Sequence, residues 1–176
     1  MKNILFALIA IFGLNGCIVF KSVSYEISLS GDISGNSLVI IEDISSDAQN
    51  EEDFNNDIQF VFDYALVSSQ FIDDMNNEGK KIISRKLFIQ DGKLNALVSY
   101  EFDDITLIES IYFEDPYYYL NLAPEDSIIS TNGQIFSYDD FKRIVWDKSM
   151  KTLNFHIFSE NTDNPNIKSL APFYKK

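Results

Sequence analysis

Cysteine occurs once in this 176-residue chain, at position 17, and histidine once, at position 156. One thiol cannot close an intrachain disulfide, so the fold has to hold on its core alone. One thiol and one imidazole also leave too few ligands for a zinc cluster. Basic residues are scarce: 14 Lys and Arg face 27 Asp and Glu, for a net charge of −13. That balance argues against nucleic acid and against electrostatic docking on anionic lipid. There is no Gly-rich phosphate loop and no internal repeat of fixed period. The apolar run Ile4–Phe12 falls well short of the roughly 20 residues that a spanning helix needs.

What that short run does fit is a cleaved leader. Lys2 supplies a positive start, Ile4–Phe12 an uncharged apolar middle, and Leu14-Asn15-Gly16-Cys17 the close. Small Gly16 before Cys17 suits a peptidase that cuts between them. The pattern resembles the lipobox of bacterial lipoproteins, with Leu14, Gly16 and Cys17 at its first, third and fourth positions. Asn15 stands where Ala or Ser is usual. The resemblance covers the first 17 residues. It implies that Cys17 becomes the mature N-terminus, with a diacylglyceryl thioether and an N-linked acyl chain such as palmitate. Each buried acyl CH₂ contributes about 0.8 kcal/mol, so two or three chains anchor where one would not.

Behind the leader remain roughly 160 residues, the size of one domain. Apolar residues make up 45 % and aromatic residues 14 %, too many for a disordered chain. The abundance of Phe, 15, and Tyr, 9, leans toward β structure. The acidity is read as solubility rather than as an acidic binding role.

Val23, Tyr25, Ile27 and Leu29 alternate with polar residues, the mark of a half-buried strand. A turn over Gly31–Asn36 and a second strand, Ser37–Asp43, complete a hairpin. The period then changes to about 3.6. Phe54, Ile58, Val61, Ala65 and Ile72, widened by Phe60, Tyr64, Val67 and Phe71, predict one long amphipathic helix over Glu51–Asn77. Acidic residues crowd its start, and Gly79, Lys80 and Lys81 follow its end. Asp91-Gly92 predicts a two-residue hairpin turn that sets Ile89 opposite Leu94, Leu87 opposite Ala96, Arg85 opposite Val98 and Ile83 opposite Tyr100. Arg85 is read as an edge residue, or one reaching solvent along its stem. Asp103-Asp104 caps a short helix, Ile105–Ile111, with Thr106 and Glu109 spaced as a capping box. Strands are expected at Tyr117–Leu122, at a hairpin about Asn132-Gly133, and at a last hairpin of Lys142–Asp147 with Thr152–Phe158.

The expected fold class is α+β: a twisted antiparallel sheet of hairpins, the long helix packed on one face, and a short second helix. The expected division is a signal peptide at 1–16, a lipid-anchored tether at 17–22, a single domain at 23–160 and a loosely ordered tail at 161–176. This order of elements, with its Gly-rich first turn, resembles the soluble domain of LppM-type bacterial lipoproteins.

Catalytic parts are few. His156 alternates out with Thr152 and Asn154 and reads as a surface histidine. Gly31-Asp32-Ile33-Ser34-Gly35 has the wrong spacing for a nucleophile elbow. Acidic pairs recur at Asp73-Asp74, Asp103-Asp104, Glu114-Asp115, Glu125-Asp126 and Asp139-Asp140, and read as caps and turns. Asp43–Phe54 has the length of an EF-hand loop but lacks its central Gly and final Glu, which leaves Asp47, Glu51, Glu52 and Asp53 a poor calcium site.

These observations lead to a non-enzymatic cell-envelope lipoprotein, with no catalytic residue, metal or cofactor expected. Cys17 is the lipidation residue, and Gly16 and Cys17 flank the cut. Its expected partners are the membrane, through lipid on Cys17, and an envelope protein. Ile18 rather than Asp follows Cys17, which by resemblance favours the outer membrane, facing the periplasm, if the source is diderm. The alternative is a carrier for an apolar ligand between helix and sheet, with Phe60, Phe62, Phe71, Tyr100 and Phe102 around a cavity of several hundred Å³. A carboxylate-based hydrolase is the third reading and requires two acids converging in a cleft.

Overall fold

The computed structural model describes residues 18–158 and 166–175. Cys17, Gly16, the rest of the leader and the first part of the tail lie outside them. The described chain is mostly antiparallel β structure, which corrects the expected α+β class. Its longest helical run is 15 residues.

Six strands make the larger sheet, in the order β5 (Lys81–Gln90), β6 (Lys93–Phe102), β3 (Gly35–Glu42), β2 (Ser22–Leu29), β12 (Thr152–Phe158), β9 (Ser127–Thr131). Four make a second, in the order β10 (Gln134–Ser137), β11 (Lys142–Asp147), β8 (Tyr117–Leu122), β7 (Ile111–Glu114). Short strands β1 (Ile18–Val19), β4 (Ser45–Ser46) and β13 (Lys168–Ser169) form a third.

Alternation places the inward residues. Val23, Tyr25 and Ile27 on β2 stand beside Ile157, Phe155 and Leu153 on β12, all buried. From the second sheet, Tyr118, Leu120, Ile144 and Trp146 pack into the same core. The main core is thus sheet on sheet, as in a sandwich, rather than helix on sheet. Tyr25 stacks on Phe155 with centroids 4.6 Å apart.

The predicted long helix is two short ones. Helix α1 spans Glu51–Gln59, a π-helical stretch follows at Phe60–Ala65, and α2 spans Ser69–Asn77. The break has a local cause: Ser68 is extended (φ −64°, ψ 135°) and its hydroxyl accepts from the N–H of Gln70, making it an N-cap. Val67, placed on the apolar stripe by the 3.6 period, is 70 % exposed at the break. Helix α1 and the π-helical stretch pack over Leu87, Leu94 and Ala96, at one end of the sheet face that carries the main core at its other end.

Other expectations also change. The β5–β6 hairpin turns at Asp91-Gly92 with φ of 53° and 77°, in the predicted register as far as Arg85, but a bulge at Ile83 puts Ile82 opposite Tyr100. Asn132-Gly133 joins no hairpin, since β9 pairs with β12 while β10 pairs with β11. Nor do β11 and β12 pair with each other; they belong to different sheets. Ile105–Leu107 is one 3₁₀ turn capped by Asp104, not a helix to Ile111. Ile18–Val19, expected as tether, pairs with Ser46 and Ser45. In the tail, Lys168–Ser169 pairs with the same two serines, and Leu170 is fully buried. No helix among the described residues is long and apolar enough to cross a membrane.

Candidate functional site

Where helices and sheet part slightly, an apolar cleft of about 90 Å³ remains. Leu87, Ala96 and Val98 form its floor, since alternate residues of β5 and β6 point to that face. Phe60, Val61, Leu66 and Phe71 close it from the helical side, and Ile18 and Phe20 wall it near the start of the described chain. Among the described residues no carboxylate lines it. Of the aromatic residues expected around a ligand cavity, only Phe60 and Phe71 reach it. Phe62 stacks on Tyr174, and Tyr100 and Phe102 fill the sandwich core. The volume is well below the several hundred Å³ that a carrier of a drug-sized or larger ligand requires.

Arg85 shapes one side of this cleft. Its Nη1 donates to the carbonyl oxygen of Ala65 at 2.8 Å and its Nη2 to that of Ser68 at 2.9 Å. These carbonyls flank the helix break, where intrahelical donors run out. The guanidinium also lies 5.2 Å from the Phe71 ring centre. Loss of water lowers its pKa. Arg85 does sit on an edge strand, β5, as the sequence suggested, but its guanidinium turns to the helical carbonyls instead of reaching solvent, and so ties sheet to helices.

A polar cluster sits inside the main core. Lys80 Nζ is 3.2 Å from Glu109 Oε1 and 3.7 Å from Glu78 Oε2. Tyr100 donates its hydroxyl to Glu109 at 2.9 Å. Burial, reinforced by the Glu109 carboxylate, pushes the Tyr25 and Tyr100 hydroxyls well above their usual range. Burial also raises Glu78, against the pull of Lys80. Two acids do meet here, but a lysine bridges them and the side chains of Lys80 and Glu109 are only 1 % and 4 % exposed. That is the arrangement of a compensated buried charge rather than of an acid–base pair open to substrate. Sequence reasoning placed Lys80 beside a helix end and Glu109 in a capping box; no local signal marks either as buried.

The acidic pairs mostly do local work. Asp74 accepts from Tyr64 and Gln70, Asp103 pairs with Lys81, Asp104 caps Thr106, Asp115 pairs with Lys148, and Asp126 accepts from the N–H of Ala123. Asp53 accepts from Asn50, the N-cap of α1. No group of three or more His, Cys, Asp or Glu among the described residues could hold a metal ion. His156 is partly exposed, with Nε2 3.9 Å from Glu42. Cys17 and Gly16, the two site residues expected from the sequence, lie outside the described residues. No family model, curated protein or solved structure matches the chain.

Proposed function

We propose that this chain is a cell-envelope lipoprotein, held by lipid on Cys17, with a non-enzymatic β-rich body that binds a partner protein or serves a structural role. The observation that carries this reading is the leader: Lys2, the apolar run Ile4–Phe12, and Leu14-Asn15-Gly16 before the chain's sole cysteine. The fold supports it in one respect. Ile18 enters a strand directly, so an anchor at Cys17 would hold the body close against the bilayer surface. In a diderm cell the outer membrane, facing the periplasm, is the favoured address.

The test is metabolic labelling with a fatty acid in a bacterial host, comparing the full chain with Cys17→Ser. Label on the parent and none on the variant is expected. An unlabelled parent whose intact mass still begins at Met1 overturns the reading.

A further inference from the structure

We propose that the apolar cleft seats the first few carbons of an acyl chain carried by Cys17, so that the protein's own lipid fixes how its body stands on the membrane. The inference rests on the lipid-anchor reading and adds a binding site to it.

Chain geometry is the first support. Ile18 is itself a wall of the cleft, and it is held by pairing with Ser46 rather than left slack. Consecutive Cα atoms are about 3.8 Å apart, so any group on Cys17 starts within one residue of apolar space. The second support is the chemistry of the walls. Aliphatic and aromatic side chains dominate; of the two basic residues on the wall, Arg85 has its guanidinium committed to the carbonyls of Ala65 and Ser68, and Lys86 is solvent-exposed. Nothing in such a lining calls for a polar headgroup. Size is the third. A water-sized group needs roughly 10–15 Å³ of such free space, so a cleft of about 90 Å³ admits only a short run of them. That fits the carboxyl-proximal methylenes of a chain and leaves the remainder for the bilayer. A tethered chain also has an advantage over an apolar solute, because its effective concentration at the cleft is already high. A methylene is shielded from water equally well in cleft and bilayer, so the consequence is orientation rather than added affinity.

Photo-crosslinking of the full-length chain tests this. The protein is expressed in a lipoprotein-processing bacterial host fed one of two diazirine fatty acids, reactive either within the first few carbons or at the far end. It is then irradiated in phosphatidylethanolamine–phosphatidylglycerol vesicles. The proximal probe should link to peptides containing Phe60–Phe71 or Leu87, and the distal probe to phospholipid. Ala65→Phe and Ala96→Phe fill the cleft from opposite sides. Whichever melts like the parent should lose the intramolecular link at least fivefold with acylation unchanged. An acylated parent whose proximal probe links to phospholipid alone overturns the proposal, as does an undiminished link in a filled variant. Intact mass before irradiation is a separate reading: no acyl chain on Cys17 defeats the anchor itself, and this inference with it.

Discussion

Lys80 and Glu109, 29 positions apart in the chain, meet inside the main core with Nζ and Oε1 3.2 Å apart. The contact pins the segment after Ile105–Leu107 to the end of α2. Glu109 and its neighbour Ser110 both adopt positive φ, 48° and 53°, a conformation that costs non-glycine residues roughly 1 kcal/mol or more each. Removing the lysine leaves the Glu109 carboxylate buried with the Tyr100 hydroxyl but without its counter-charge. Lys80→Met should therefore destabilise the fold by about 3–5 kcal/mol. The double variant Lys80→Met/Glu109→Gln should cost less than the two single changes summed, with a coupling of about 1 kcal/mol or more by urea unfolding. Strict additivity would show that the pair does not act as a unit.

Arg85 is the second such tie. Arg85→Met removes two charge-assisted hydrogen bonds to the carbonyls of Ala65 and Ser68, each worth about 1.5–3 kcal/mol. Its effect should be local: amide hydrogen exchange across Ser69–Asn77 should quicken well before that of β2 and β3. Equal acceleration everywhere would mean that the helices and the sandwich open together.

Asn132 joins the two large sheets. Its Oδ1 accepts from Trp146 Nε1 and from the N–H of Asn154, each at 2.8 Å, and its Nδ2 donates to the carbonyl of Thr152. Asn132→Ala should cost about 2–4 kcal/mol, because two partly buried donors lose their acceptor. A Cβ at the neighbouring Gly133 would lie 2.7 Å from Trp146 Nε1 and from Ile144 Cγ2. Gly133→Ala should cost about 1–3 kcal/mol by overpacking. Trp146 is the sole tryptophan and is fully buried. Its fluorescence should shift to the red in Asn132→Ala as water reaches the indole; an unchanged emission maximum would refute the account.

Asp57 supplies a pH prediction. Burial raises its carboxyl above the usual 3.8, against the opposing hydrogen bond from Ser46. A carboxyl whose folded pKa exceeds its unfolded value binds protons more tightly in the folded state. Its stabilising contribution is complete below about pH 3.9 and is lost as pH rises through the folded pKa. Asp57→Asn cannot ionise and keeps an oxygen for Ser46. Relative to the parent it should gain stability between pH 3 and pH 7. A difference in urea midpoint that is the same at both pH values would contradict this.

Local signals were legible where the partner lies close in sequence. The β2–β3 and β5–β6 hairpins follow from alternation and from Asp91-Gly92, since a tight turn dictates register over a few residues. Asn132-Gly133 carries the same kind of signal but serves another purpose. There the asparagine's side-chain hydrogen bonds, rather than a hairpin turn, account for the residue. The helix break had a visible clue in Ser68-Ser69, a pair that favours caps over helix interiors, inside a run whose apolar period does not pause. For the candidate site, the apolar walls contributed by Phe60 and Phe71 were anticipated, while the small volume and the tie through Arg85 were not.

By itself the sequence determined the excess of acid, the want of disulfides, the leader-like start, the existence of two hairpins and the register of one of them as far as Arg85, all properties of composition or of neighbouring residues. Tertiary structure alone decided that β11 and β12 part company into different sheets, that sheet packs on sheet, and that Lys80 is buried against Glu109. Those outcomes depend on which apolar faces find each other across many tens of residues, and no short stretch of chain encodes that choice.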